Sequence, residues 1–111
     1  MAVAYSGSWS QLNTYRNQAV ISLTPGELLL KTYDLILSAL EAEDVDRACR
    51  GLAQLIDCLD FRYQEIASGL FRLYRYCMEQ TKKGEFETVA AIVADLRQTW
   101  ATAIERSGIT G

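Results

Sequence analysis

At 111 residues, 50% of them hydrophobic and 23% charged, the chain has the length of one domain and the composition of a folded one, able to bury a core without disulfides or a structural metal. Its net charge of -3 removes the general electrostatic pull towards DNA, RNA or an anionic membrane, which rests on basic surfaces that release counterions. Histidine is absent, which excludes His-based triads, HExxH zinc sites, di-iron ExxH pairs and the usual proton shuttle.

No catalytic residue, cofactor or metal ligand is therefore expected, and the chain reads as a non-enzyme. Cys49, Cys58 and Cys77 form an odd set with no CxxC spacing, so reduced and mostly buried thiols are expected in place of a disulfide framework or a zinc ribbon. A small thiol enzyme built on one of them would lack both histidine and a defined set of cationic neighbours. The opening MAVAYSGSWSQLNTYRN has no basic n-region and no apolar h-region, and no later stretch offers about 18 uncharged apolar residues. A cytoplasmic protein without membrane insertion is the expectation.

Residues 1–23 are polar in composition, yet Tyr5, Trp9, Leu12, Tyr15, Val20, Ile21 and Leu23 punctuate them. Tyr5, Trp9 and Leu12 have the i, i+4, i+7 spacing of a short helix, and large aromatic groups in such a segment usually dock somewhere. Two readings stand side by side. The segment caps one end of the core, or it lies as a displaceable strap in a groove meant for a partner.

The first bundle helix is expected at about 25–42. Thr24 can cap it, Pro25 fits the first turn where its missing N–H costs nothing, and Glu27 closes a capping box. Leu28, Leu35, Ala39, Ile36, Leu29, Leu40, Tyr33, Leu37 and Leu30 then cover roughly 220° of its circumference. A helix packed on one side needs little more than about 100°, so this one must touch neighbours on two or three sides or also line a groove.

A second helix, at about 44–60, has Asp44 as its N-cap and a stripe of Val45, Ala48, Leu52, Leu55 and Leu59. The acidic cluster Glu41, Glu43, Asp44 and Asp46 lacks the glycine and ligand spacing of a calcium loop and reads as solvated helix-end charge. No glycine or proline marks the next junction, which is expected near Asp60 or Gln64. The third helix, at about 63–82, carries Ile66, Leu70, Leu73 and Cys77 on one stripe and Ala67, Phe71, Tyr74 and Met78 on the next. Lys82, Lys83 and Gly84 stop it. The fourth, at about 85–106, has a seam of Phe86, Val89, Val93, Leu96, Trp100 and Ile104, with small residues Ala90, Ala94 and Ala101 beside it. Short connections between four amphipathic helices predict an all-α fold, an antiparallel up-down-up-down four-helix bundle over residues 24–111 as a single domain.

Three strings carry a resemblance to a known family. TYRNQAVISLTPGELLLKTYD contains Tyr15, Val20, the run from Thr24 to Leu28, Tyr33 and Asp34; EIASGLFRLYRYCM contains Glu65, Ile66, Ala67, Leu70, Leu73, Tyr74 and Tyr76; DLRQTW ends on Trp100. Together, from residue 15 to about 104, they resemble the flagellar secretion chaperone (FliS) family. The resemblance implies a cytosolic, non-enzymatic chaperone that wraps the C-terminal helical region of flagellin and prevents its polymerisation before type III export. It also implies an N-terminal segment lying over part of the partner's surface. Helix-in-groove recognition then makes Tyr5, Tyr15, Val20, Tyr33, Ala90, Ile92 and Ala94 the candidate partner contacts, with core packing an equal alternative for Tyr33 and for Trp100. The chain departs from the family in spans that are about one to two helical turns shorter, from Asp34 to Asp44 and from Tyr76 to Trp100. The rival expectation is a related helical adaptor or co-chaperone that self-associates or binds another flagellar export component.

Overall fold

Four α-helices make up the regular structure of the computed structural model, which describes residues 24–107: α1 (Pro25–Glu41), α2 (Val45–Asp57), α3 (Gln64–Lys82) and α4 (Phe86–Ser107). The all-α expectation holds. The N-terminal segment, and with it the strap, the short helix and the candidates Tyr5, Tyr15 and Val20, lies outside the described residues.

The helix ends follow from local chemistry. At the start of α1 the Thr24 N–H donates to Glu27 Oε1 at 2.9 Å and the Glu27 N–H donates to Thr24 Oγ1 at 3.1 Å, the reciprocal box read from the sequence. Asp44 Oδ1 accepts from the Arg47 N–H at 3.1 Å and caps α2. Gly84, at φ 82°, ends α3: its N–H donates to the Thr81 carbonyl at 3.0 Å, and the Glu85 N–H donates to the Gln80 carbonyl at 2.9 Å. That pair of bonds is a Schellman motif. The same motif ends α1, through Glu43 N–H to the Leu40 carbonyl at 3.0 Å and Asp44 N–H to the Ala39 carbonyl at 2.8 Å. There the left-handed position falls on Glu43, at φ 56°.

The boundary of α2 differs from the expectation. The helix stops at Asp57, and residues 58–63 form the connection. The Asp60 carboxylate accepts from the Arg62 N–H at 3.0 Å and holds the Arg62 guanidinium at 2.6–3.1 Å. This Asx-type turn competes with helical hydrogen bonding and ends α2 early.

Packing makes α1 the central helix. It lies against both α2 and α4, while α3 packs on α2 and meets α4 over a smaller extent. Gly26, Leu28, Leu29, Thr32, Tyr33, Ile36, Ala39 and Leu40 of α1 are buried, which accounts for most of its wide apolar arc. Ala48, Leu52 and Leu55 of α2, Ala67, Tyr74 and Cys77 of α3, and Val89, Val93, Trp100 and Ile104 of α4 are also buried. Gly51 brings α2 close to α1: a Cβ there would stand 2.5 Å from Ile36 Cγ1.

Candidate partner-binding surface

Side-chain hydrogen bonds join α1 to α3 and to α4. The Tyr33 hydroxyl on α1 hydrogen-bonds the Tyr74 hydroxyl on α3 inside the core, where both rings are 0% exposed. At the surface, Arg97 on α4 grips Asp34 on α1 from Nε to Oδ1 at 2.6 Å and from Nη2 to Oδ2 at 3.2 Å. The three sequence strings singled out above therefore meet: the first touches the second through the tyrosines and the third through the ion pair.

Tyr33 is a core residue, and the contact role expected of it has no exposed surface through which to act. The α4 candidates do not form one patch either. Ala94 is exposed, and Ala90 and Ile92 are half-buried. Ala90, Ala94, Arg97 and Ala101 follow one another at i, i+4, i+7 and i+11, so they share the edge of α4 on which Arg97 reaches α1. Ile92 stands two positions from Ala94, about 160° away around the helix, on the edge nearer α3. Trp100 is 9% exposed and belongs to the core seam with Val89, Val93 and Ile104.

Exposed apolar surface lies on α3, besides Leu35 of α1 and Phe61 and Tyr63 of the 58–63 connection. Ile66 and Tyr76 are 47% and 45% exposed; with Gly69 and half-buried Leu73 they stand at i, i+10, i+3 and i+7, a single strip. No heavy atom comes within 4 Å of a Cβ built at Gly69, so the strip is open at its middle. The other edge of α3 faces α2, through the approach of Cys49 Sγ to the Met78 carbonyl at 3.9 Å, and its Phe71 meets Phe61 of the 58–63 connection edge to face at 6.4 Å. The strip consequently lies on the edge of α3 away from α2, on the side where α3 and α4 pack over the smaller extent. Periodicity placed Ile66 and Leu73 in the core stripe of α3. The signal for their exposure was the width of that apolar arc, broader than one seam can cover.

No protein-family model, curated protein or solved structure matches this chain.

Burial pushes the Cys58 thiol, beside Asp57, and the Cys77 thiol up to about 11, and it raises Cys49 against the opposing pull of Lys82. All three are held as thiols, the form that does not attack. Among the described residues no group of three His, Cys, Asp or Glu side chains is placed to hold a metal ion, and no helix is long and apolar enough to cross a membrane.

Proposed function

We propose that this chain is a cytoplasmic export chaperone of the flagellar secretion type, which covers the C-terminal helical region of flagellin until type III export. The observation that carries this reading is the meeting of the three resemblance strings through Tyr33 with Tyr74 and Asp34 with Arg97. Segments far apart in sequence close on one another by specific polar contacts and form one packed unit. The three-residue connections at 42–44 and 83–85 favour antiparallel neighbours, in keeping with an up-down-up-down bundle.

The physical task is to bury the apolar face of a client helix that would otherwise bury it in another copy of the client. The strip of Ile66, Gly69, Leu73 and Tyr76 offers spacing that a client's i, i+3, i+4 and i+7 residues can meet. A client segment that is disordered when free loses entropy on ordering, so tight binding needs a long wrapped surface beyond this strip. Titration of the full chain with a peptide from the C-terminal helical region of flagellin is the test. A saturable calorimetric signal and a complex on size exclusion are expected. Absence of both refutes the chaperone reading and leaves the adaptor.

A further inference from the structure

The flank of α1 that faces α2 carries a second surface, away from the α3 strip. Thr32 and Leu35 on α1 and Arg47, Arg50, Gly51 and Gln54 on α2 line an open groove of about 250 Å³. The α2 residues stand at i, i+3, i+4 and i+7 and the α1 residues at i and i+3, so both walls are single helical stripes. The volume falls below the range of about 300–1,000 Å³ in which small-molecule pockets lie, and the groove is open to solvent. It suits one anchoring side chain delivered by a protein.

The two walls differ in character. On α1, Leu35 is 40% exposed, and the Thr32 hydroxyl is committed to the Leu28 carbonyl at 2.9 Å, which leaves an apolar wall. On α2 the lining presents two guanidiniums and one carboxamide and no carboxylate. Between them, Gly51 brings its backbone to the groove, the place of its missing side chain being taken by Ile36 of α1. The arginines' own partners hold them weakly: Arg47 is 3.8 Å from Asp44, and Arg50 meets Asp46 where their side chains are 74% and 75% exposed. Exposed pairs of this kind are worth about 0–1 kcal/mol, and each guanidinium has donors left for a second carboxylate. The charged groups that line the groove are therefore these two cations, with Asp44 and Asp46 beside them but outside the lining.

We propose that the α1–α2 groove is the docking site for an acidic helical segment of a partner protein, which inserts one aliphatic side chain between Leu35 and Gly51 and sets carboxylates a turn to either side against Arg47 and Arg50. Charge complementarity selects this occupant over a basic or purely apolar one. The inference stands independently of the flagellin reading, since the α3 strip and this groove share no residue.

The test uses the full chain, isotopically labelled, and a synthetic amphipathic helical peptide with one leucine flanked at three and four residues on either side by glutamates. A matched peptide with lysine in place of each glutamate is the control. Expected are NMR shifts confined to Leu35 and the 47–54 stretch, no shifts with the lysine peptide, and an affinity loss of about 10-fold or more in Leu35→Ser and in the double variant Arg47→Glu/Arg50→Glu. Gln54→Glu, a single change on the same wall, provides a second charge variant should the double one fail to fold, and it is expected to weaken binding too. Equal binding of the lysine peptide, shifts centred elsewhere, no shifts with the glutamate peptide, or affinity unchanged in every folded variant would each overturn the proposal. Shifts at the groove that depend on protein concentration without any peptide would assign it to a second copy of the chain and overturn the choice of occupant.

Discussion

Gly51 and Gly69 each stand inside a helix, where glycine costs about 0.5–1 kcal/mol relative to alanine, yet they stand there for different reasons. An added Cβ at Gly51 would press on Ile36, whereas one at Gly69 would meet nothing within 4 Å. Gly69→Ala should therefore stabilise the fold by about 0.5–1 kcal/mol. Gly51→Ala should lower stability by about 1 kcal/mol, because overpacking at about 1–3 kcal/mol outweighs the helix-propensity gain. Thermal unfolding checks both, with shifts of opposite sign and about 4–8 °C per kcal/mol. Equal stabilisation by the two alanines would mean that α1 and α2 can separate at little cost. The Tyr33–Tyr74 hydroxyl pair permits a second measurement at this scale. Tyr33→Phe and Tyr74→Phe should each cost about 1 kcal/mol in denaturant unfolding. The double variant should cost less than their sum by about 0.5–1 kcal/mol, and strict additivity would show that the bond contributes nothing of its own.

Among the elements, the starts of α1 and α2 and the end of α3 were legible because their chemistry is local: a threonine, proline and glutamate in register at 24–27, an aspartate at 44, a glycine at 84. Glu43 was not legible, since nothing in a glutamate announces a left-handed backbone; the three-residue turn into α2 imposes it. For a non-glycine residue that conformation costs about 1–2 kcal/mol. Glu43→Gly keeps both Schellman bonds and removes the strain, at the expense of a freer unfolded chain. A net gain of about 0.5–1 kcal/mol is expected, read as a higher denaturant midpoint with an unchanged slope. The end of α2 escaped sequence reading for a related reason, because Asp60 stops the helix through its side chain and not through a backbone breaker. For the candidate surface, periodicity drew the apolar arcs of α1 and α3 well. It could not say which third of each arc a neighbour covers, and so Tyr33 moved inside while Ile66 moved outside. Ile92 and Ala94 shared a stretch of sequence but not a face, which the two-residue offset between them already contained.

For the molecule as a whole, stability and partner binding should be separable, because they rest on different sides of the helices. Val93 is 1% exposed, whereas Ile66 and Tyr76 are 47% and 45% exposed. Val93→Ala should cost about 1–3 kcal/mol by leaving a cavity in the α4 seam, and it should lower the unfolding temperature while leaving the affinity of the folded protein for the flagellin C-terminal peptide within about 2-fold. Ile66→Ser together with Tyr76→Ser should do the reverse. Half-exposed side chains give up little burial energy on truncation, so unfolding should shift by no more than about 1 kcal/mol. The loss of two apolar anchors from one strip should weaken the peptide by about 10-fold or more, since a few anchoring residues dominate such interfaces. Calorimetric titration and thermal unfolding of the same three proteins make the comparison. If the double serine variant melts early and binds normally, the strip is core and any partner sits elsewhere. If it keeps its stability and loses the peptide, then the side on which α3 and α4 pack least is the side left open for a client helix.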